Sequence, residues 1–300
     1  MNLEYIVTDI DNNKTIAHIL KDKLNISSRL LNKLKMNEKI LVNSTPVFSN
    51  FIVHTSDNII VKIDFEETDN IIPQNIPIEV LFEDDYFLAI NKPAGIVVHP
   101  SSYHPNNTLA NAVKFYLNNN KKIRAINRLD RDTSGIVLFA KNEYIQELMV
   151  QNKSIKKEYV AIVKGTLKEK EGTIKEKIAR KQNSIMEREI NNEKGQTAIT
   201  HYKLIKKIKI NNEDFSLLKL KLETGRTHQI RVHLKYIGNP ILGDSLYDTE
   251  SDLIKRQALH AYKLTFNHPI NKKEIEIIAP IPNDMNDFWR PYGTTEKVNN

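Results

Sequence analysis

Near the N-terminus the apolar positions recur with the period of a helix. Ile16, Ile19, Leu20 and Leu24 share one face. After Ser27 and Ser28, either of which can cap a helix start, Leu30, Leu31 and Leu34 form a second stripe. The opposite face of that second helix carries Arg29, Lys33 and Lys35, and Ile40-Leu41-Val42-Asn43-Ser44 then reads as a strand entering a turn. This pattern predicts a small α+β domain over residues 1–70. Periodicity stops at 65–78, where Glu66, Glu67 and Asp69 lead into Pro73 and Pro77. We expect a linker at 71–78, within a stretch 65–78 able to let the first domain move independently, followed by a larger domain at 79–300.

In that larger domain, Val80-Leu81-Phe82 and Phe87-Leu88-Ala89-Ile90 flank Glu83-Asp84-Asp85, which predicts a hairpin. Leu109, Val113, Tyr116 and Leu117 predict a helix, Gly135–Ala140 a buried strand, and Tyr144, Ile145, Leu148 and Met149 another helix. From Glu158 to Glu223 the period shortens to two. Leu218, Leu220 and Leu222 alternate with Lys219 and Lys221, as in a half-buried antiparallel strand. Ile230, Leu234 and Ile237 return to helical spacing. The expected fold class is α+β, a mainly antiparallel mixed sheet with flanking helices.

Composition narrows the function. The 300 residues are 40% hydrophobic and 27% charged, which excludes disorder as the main state, and the 11 Pro and 9 Gly have no period. No apolar run reaches the roughly 18–20 residues of a membrane-spanning helix. Cysteine is absent, which removes disulfide scaffolds, thiol catalysis and Cys-ligated zinc together. Met1-Asn2-Leu3-Glu4 does not resemble a secretory signal, so a cytoplasmic location is expected.

The net charge of +7 is unevenly placed: residues 151–210 hold 16 Lys/Arg against 7 Asp/Glu, an excess of 9. Such a segment attracts polyanions, and equally suits a solvated lysine-rich surface. Residues 21–39 add six basic against two acidic side chains, enough to meet phosphates with one helix.

Phosphate-loop and dinucleotide glycine motifs are missing. His228 and His233 lack the His-Glu-x-x-His arrangement of a zinc site. Asp130 and Asp132 could bind magnesium, but such pairs are common in solvated turns. The densest chemistry is Ala125-Ile126-Asn127-Arg128-Leu129-Asp130-Arg131-Asp132-Thr133-Ser134-Gly135, directly before the buried-strand pattern. A loop entering a core strand holds side chains rigidly while leaving them reachable.

These residues resemble the RluA-type pseudouridine synthases. The matching motifs begin with Glu83-Asp84-Asp85, Asn91-Lys92-Pro93-Ala94-Gly95 and Val98-His99-Pro100, then Arg128-Leu129-Asp130 with Thr133-Ser134-Gly135. Lys157-Glu158-Tyr159 and Thr224-Gly225-Arg226-Thr227-His228-Gln229-Ile230-Arg231-Val232-His233 follow in order. Pro240-Ile241-Leu242-Gly243-Asp244, Tyr247 and Leu259-His260-Ala261 complete the pattern. Asn127 departs from it, standing where many relatives have His. The N-terminal helices resemble an S-four-type RNA-binding domain, without its usual glycine at Asn37-Glu38-Lys39 and with Asn43-Ser44 in place of an Asn-Gly turn.

The resemblance implies an RNA pseudouridine synthase with Asp130 as catalytic carboxylate, either nucleophile or base, and Arg231 as its cationic partner. Tyr159 would stack under the target base, its hydroxyl available for proton transfer. Arg128 and Arg226, with Arg29, Lys33 and Lys35 of the first domain, would contact RNA. An isomerisation needs no cofactor or metal. The expected partner is RNA, large-subunit ribosomal RNA first and transfer RNA second, with the protein a monomer and no membrane involved. Two other classes stay open: an inactive RNA-binding protein of the same fold, and a metal-dependent nucleotide-sugar enzyme using Asp130 and Asp132.

Overall fold

Hydroxyl caps open both N-terminal helices. Thr15 accepts the His18 amide at the start of α1 (Ile16–Asp22), and Ser27 accepts that of Leu30 at the start of α2 (Ser28–Met36). The leucine stripe of α2 is buried. Beside the helices, β1 (Asn2–Ile6), β2 (Ile40–Val42), β3 (Thr45–Pro46) and β4 (Asn58–Lys62) form an antiparallel sheet in the order β1-β4-β2-β3. The two-residue turn after β2 is left-handed at both positions, Asn43 (φ 49°) and Ser44 (φ 68°), as a twisted hairpin requires. The computed structural model describes residues 1–63, 69–118, 122–151 and 155–289; Glu66 and Glu67 of the connecting stretch lie outside them.

The remaining strands join one mixed sheet. In chain order they are β5 (Glu79–Glu83), β6 (Phe87–Lys92), β7 (Arg124–Ala125), β8 (Ser134–Ala140), β9 (Lys156–Lys164), β10 (Glu171–Arg180), β11 (Arg188–Ile190), β12 (Gln196–Ile210), β13 (Glu213–Leu222), β14 (Leu259–Asn267) and β15 (Glu274–Ile278). Their spatial order is β11-β10-β12-β13-β9-β14-β8-β6-β5, with β15 on β14 and β7 on β8. Among the described residues every pairing in this sheet is antiparallel except β14 with β8. The helices are α3 (Leu109–Tyr116), α4 (Glu143–Gln151), α5 (Gln229–Tyr236) and α6 (Asn283–Trp289). The α+β expectation holds, down to the Glu83–Asp85 hairpin, where the Asp84 carboxylate accepts the amides of Tyr86 and Phe87.

The parallel junction positions the site. At Ala261 and Gly135 the two backbones come so close that a Cβ on Gly135 would stand 2.2 Å from the Ala261 carbonyl oxygen, and Gly135 itself has φ +109°. On its other side β14 pairs with β9, Ala261 opposite Tyr159, and the register then shifts between Ala261 and Lys263. His260 ties the junction: it is buried, burial lowers its pKa to about 4, and its Nδ1 lies 2.9 Å from Ser134 Oγ.

The first domain packs directly on the second. One apolar core runs from Leu30 and Leu34 of α2 into Tyr144 and Met149 of α4. Ser27 Oγ donates to Glu147 (2.8 Å), Lys33 Nζ to Glu143 (2.6 Å) and the Tyr144 hydroxyl to the Leu24 carbonyl (2.8 Å). The connection is pinned as well. Asn111 Nδ2 donates to the Ile72 carbonyl (2.7 Å), Asp69 holds Lys114 and the Ile123 amide, and Ile71 and Ile78 pack on the α3 core.

Candidate active site

The loop before β8 is held from three sides. Lys92, completely buried, donates to the carbonyls of Pro93, Ile96 and Arg131, each at 2.8 Å, so all three ammonium protons have acceptors. Burial lowers its pKa to about 7 against the pull of Asp132 and Asp130. The Gly95 amide takes the same Arg131 carbonyl (2.9 Å). Asn127 acts as an added rung of sheet, donating to the Ile136 carbonyl (2.9 Å) and accepting the Leu138 amide (2.8 Å). Its departure from the family pattern is thus absorbed by two backbone bonds.

Asp130 projects from this loop with 28% of its side chain exposed, and Arg231 Nη1 donates to its Oδ2 at 3.1 Å. Arg231, on α5, is itself buried and gripped by Asp244: Nε donates to Oδ2 (2.8 Å) and Nη2 to Oδ1 (2.7 Å). Burial opposes the guanidinium's charge, but the two carboxylates outweigh it and raise its pKa. Asp244 thus fixes Arg231, leaving Nη1 for Asp130. The Tyr247 ring lies 5.0 Å from the Arg231 guanidinium carbon, and its hydroxyl bonds both the Arg188 amide and His228 Nδ1, each at 2.8 Å. Burial pushes the Tyr247 phenol up to about 12.

His228 sits left-handed (φ 57°) at the start of α5, with Nε2 3.8 Å from Asp130. Burial lowers its pKa, with Asp130 pulling the other way. Gln229 braces the same turn, accepting from Thr224 and the Arg226 amide and donating to β12 at Ile199 and Thr200.

Tyr159 on β9 completes the wall. Burial, and then the charge of Asp130, raise its phenol far above the usual range, so it stays protonated and is a reluctant base. Asp130, Tyr159, Arg231, Arg128 and Arg226 line one cavity of about 320 Å³, within the usual size of a small-ligand site. Arg128 is exposed there, and Arg226 Nε donates to the Thr197 carbonyl (3.1 Å). Asp132 turns away to Arg131 (3.0 Å), so the two loop aspartates serve different cations.

Arg29, Lys33 and Lys35 do not line this cavity. Lys33 and Arg29 approach Glu143 of α4 at 2.6 and 3.7 Å, while Lys35 is exposed on the outer face of α2. Sequence reasoning quoted Lys92, Lys157, Asp244 and Tyr247 within motifs without giving them work. Nothing in their spacing signals it, since Lys92 reaches Arg131, Asp244 reaches Arg231 and Tyr247 reaches Arg188 and His228 only once the chain is folded, and Lys157 meets the cavity only through the sheet. A larger cavity of about 750 Å³ opens behind the loop, but its Lys92, Ser134, His260, Arg256 and Asp284 are bonded to one another or to backbone.

The family model described as RNA pseudouridylate synthase matches residues 86–236, and that of the RluD ribosomal pseudouridine synthase N-terminal domain matches residues 3–59. The chain is 38% identical over 296 residues to the uncharacterised RNA pseudouridine synthase YhcT of Bacillus subtilis (strain 168), covering 97% of each. It is 37% identical over 253 residues to the ribosomal large subunit pseudouridine synthase D of Haemophilus ducreyi (78% of this chain, 76% of that one). Among solved structures, human RNA pseudouridylate synthase domain containing 1 superposes with a TM-score of 0.59 at 23% identity, over 71% of this chain and 87% of that one. That likeness concerns the fold.

Proposed function

Since this chain belongs to the RNA pseudouridylate synthase family and is an RNA pseudouridine synthase, an isomerase, we propose that Asp130 carries its chemistry on a uridine of large-subunit ribosomal RNA. The observation behind the catalytic assignment is the ordered chain Asp244–Arg231–Asp130, which leaves one half-exposed carboxylate in a cavity floored by Tyr159. Turning a uridine out of its stack costs a few kcal/mol and needs such an enclosure. Asp130 then acts as nucleophile on the nucleoside or as base at the sugar while the uracil is released, turned and rejoined through carbon 5. Arg231 donates to that carboxylate and supplies the opposite charge beside it.

The Tyr159 ring stacks under the base, and its protonated hydroxyl donates. Tyr159→Phe keeps the ring, so RNA affinity should stay within about 3-fold while the single-turnover rate falls on the order of 100-fold. A normal rate would reduce Tyr159 to a stacking platform.

The ribosomal assignment is supported by the names of the relatives and by the match of residues 3–59. Residues 1–70 would add affinity, with Lys35 exposed for phosphate, and Arg128 and Arg226 would hold the RNA at the cavity mouth. The protein would work as a monomer in the cytoplasm; among the described residues no helix is long and apolar enough to cross a membrane. Mapping pseudouridines in RNA from cells with and without the protein tests the substrate. Loss of a large-subunit ribosomal site is expected, and loss confined to transfer RNA would overturn the assignment.

A further inference from the structure

Lys157 precedes Tyr159 by two residues on β9, so both side chains leave the same face of the sheet, and both line the cavity that holds Asp130. Lys157 also lines an adjoining recess of about 220 Å³ walled by Ile126, Met149, Leu222 and Gly225. Arg231 and Arg226 are engaged by carboxylates or a carbonyl. The Lys157 side chain is half-buried, yet it makes no hydrogen bond or ion pair among the described residues. Burial lowers its pKa. Lys157 thus stands where the two cavities adjoin, on the same sheet face as Tyr159. A partly desolvated cation without a counter-charge costs stability, and an anionic group entering the cavity would remove that cost.

We propose that Lys157 is a further catalytic residue, whose ammonium meets the carbonyl edge of the turned-out uracil and stabilises the negative charge the base acquires as its glycosidic bond breaks. This rests on the reading of Asp130 at the sugar and Tyr159 under the base; the strand then carries Lys157 about 7 Å further on, at the outer edge of the ring. When the N1–C1′ bond breaks, its electron pair stays on the uracil and spreads to the carbonyl oxygens. C1′ forms an ester bond with Asp130, or Asp130 takes the proton of the neighbouring C2′ and leaves a C1′=C2′ double bond. After the base turns, a ring electron pair at C5 forms the new bond to C1′ while the C1′–Asp130 ester bond breaks, or while Asp130 returns its proton to C2′; the C5 proton leaves, and one proton ends on N1. Lys157 neither gains nor loses a proton over the cycle. Fixed charge aimed at a developing anion is worth about 100–1,000-fold in rate.

The test compares Lys157→Met, Lys157→Gln and Lys157→Arg with the parent protein, each checked for folding by circular dichroism and urea denaturation. Single-turnover rate at saturating RNA and the dissociation constant at several salt concentrations are measured. The expected result is a rate lowered on the order of 100-fold in the Met and Gln proteins, partly restored in the Arg protein, with affinity within about 3-fold and an unchanged salt slope. A full rate in any folded, uncharged variant overturns the proposal. So does weaker binding with a salt slope shallower by about 0.7–0.9, which would make Lys157 a phosphate contact. Failure of this proposal leaves Asp130→Asn inactive, whereas failure of the underlying reading leaves Asp130→Asn active.

Discussion

Asp130→Asn is expected to bind RNA within about 3-fold of the parent affinity and to lose single-turnover activity by about 10⁴-fold or more. Amide and carboxylate have nearly the same shape, but only the carboxylate can attack carbon or accept a proton. The surroundings make the substitution clean. Asp244 still holds Arg231 through two bonds, and Lys92 and Asn127 still hold the loop, so removing one negative charge moves none of the supporting groups. Tritium release from RNA labelled at carbon 5 of uridine measures the step directly. Retained turnover would remove Asp130 from the chemistry.

Asp244→Ala should cost about 3–5 kcal/mol of folding stability, because it strips a buried guanidinium of its bidentate partner. Arg231 would keep its single bond to the more exposed Asp130. The activity of whatever protein folds should fall too, since Nη1 is no longer held toward the Asp130 carboxylate. Asp244→Asn, which keeps one acceptor oxygen, should cost less, about 1.5–3 kcal/mol. Urea denaturation at fixed pH measures both. A change under about 1 kcal/mol for the alanine protein would mean that Arg231 finds another partner or water, and that Asp244 does not set its position.

Periodicity located the helices with short-range information: Ser27 and the stripe Leu30, Leu31, Leu34 specify α2 within a dozen residues. Strand β13 was legible in the alternation of Leu218, Leu220 and Leu222, though not its long hairpin with β12. Motif order named Asp130, Tyr159 and Arg231, but their convergence was not readable from spacing. They come from a loop, a strand and a helix, and meet where β14 pairs parallel to β8 and antiparallel to β9.

Charge divides the same way. The basic excess of residues 21–39 follows from composition, and so does its capacity to meet phosphate. Which of those cations faces RNA does not, because a side chain's surroundings are set by the element packed against its own. Glu143 looks like an ordinary first-turn acid of α4 until α2 covers it and brings Lys33 to 2.6 Å. Local pattern determined the elements, because those depend on neighbours in the chain, and the ordered motifs, through their resemblance to a known family, pointed to the class of chemistry and its candidate groups. Tertiary structure decided which charges are paired and which are left for substrate, because burial and partners come from residues about a hundred or more positions away, as Arg231 is from Asp130 and Lys33 from Glu143.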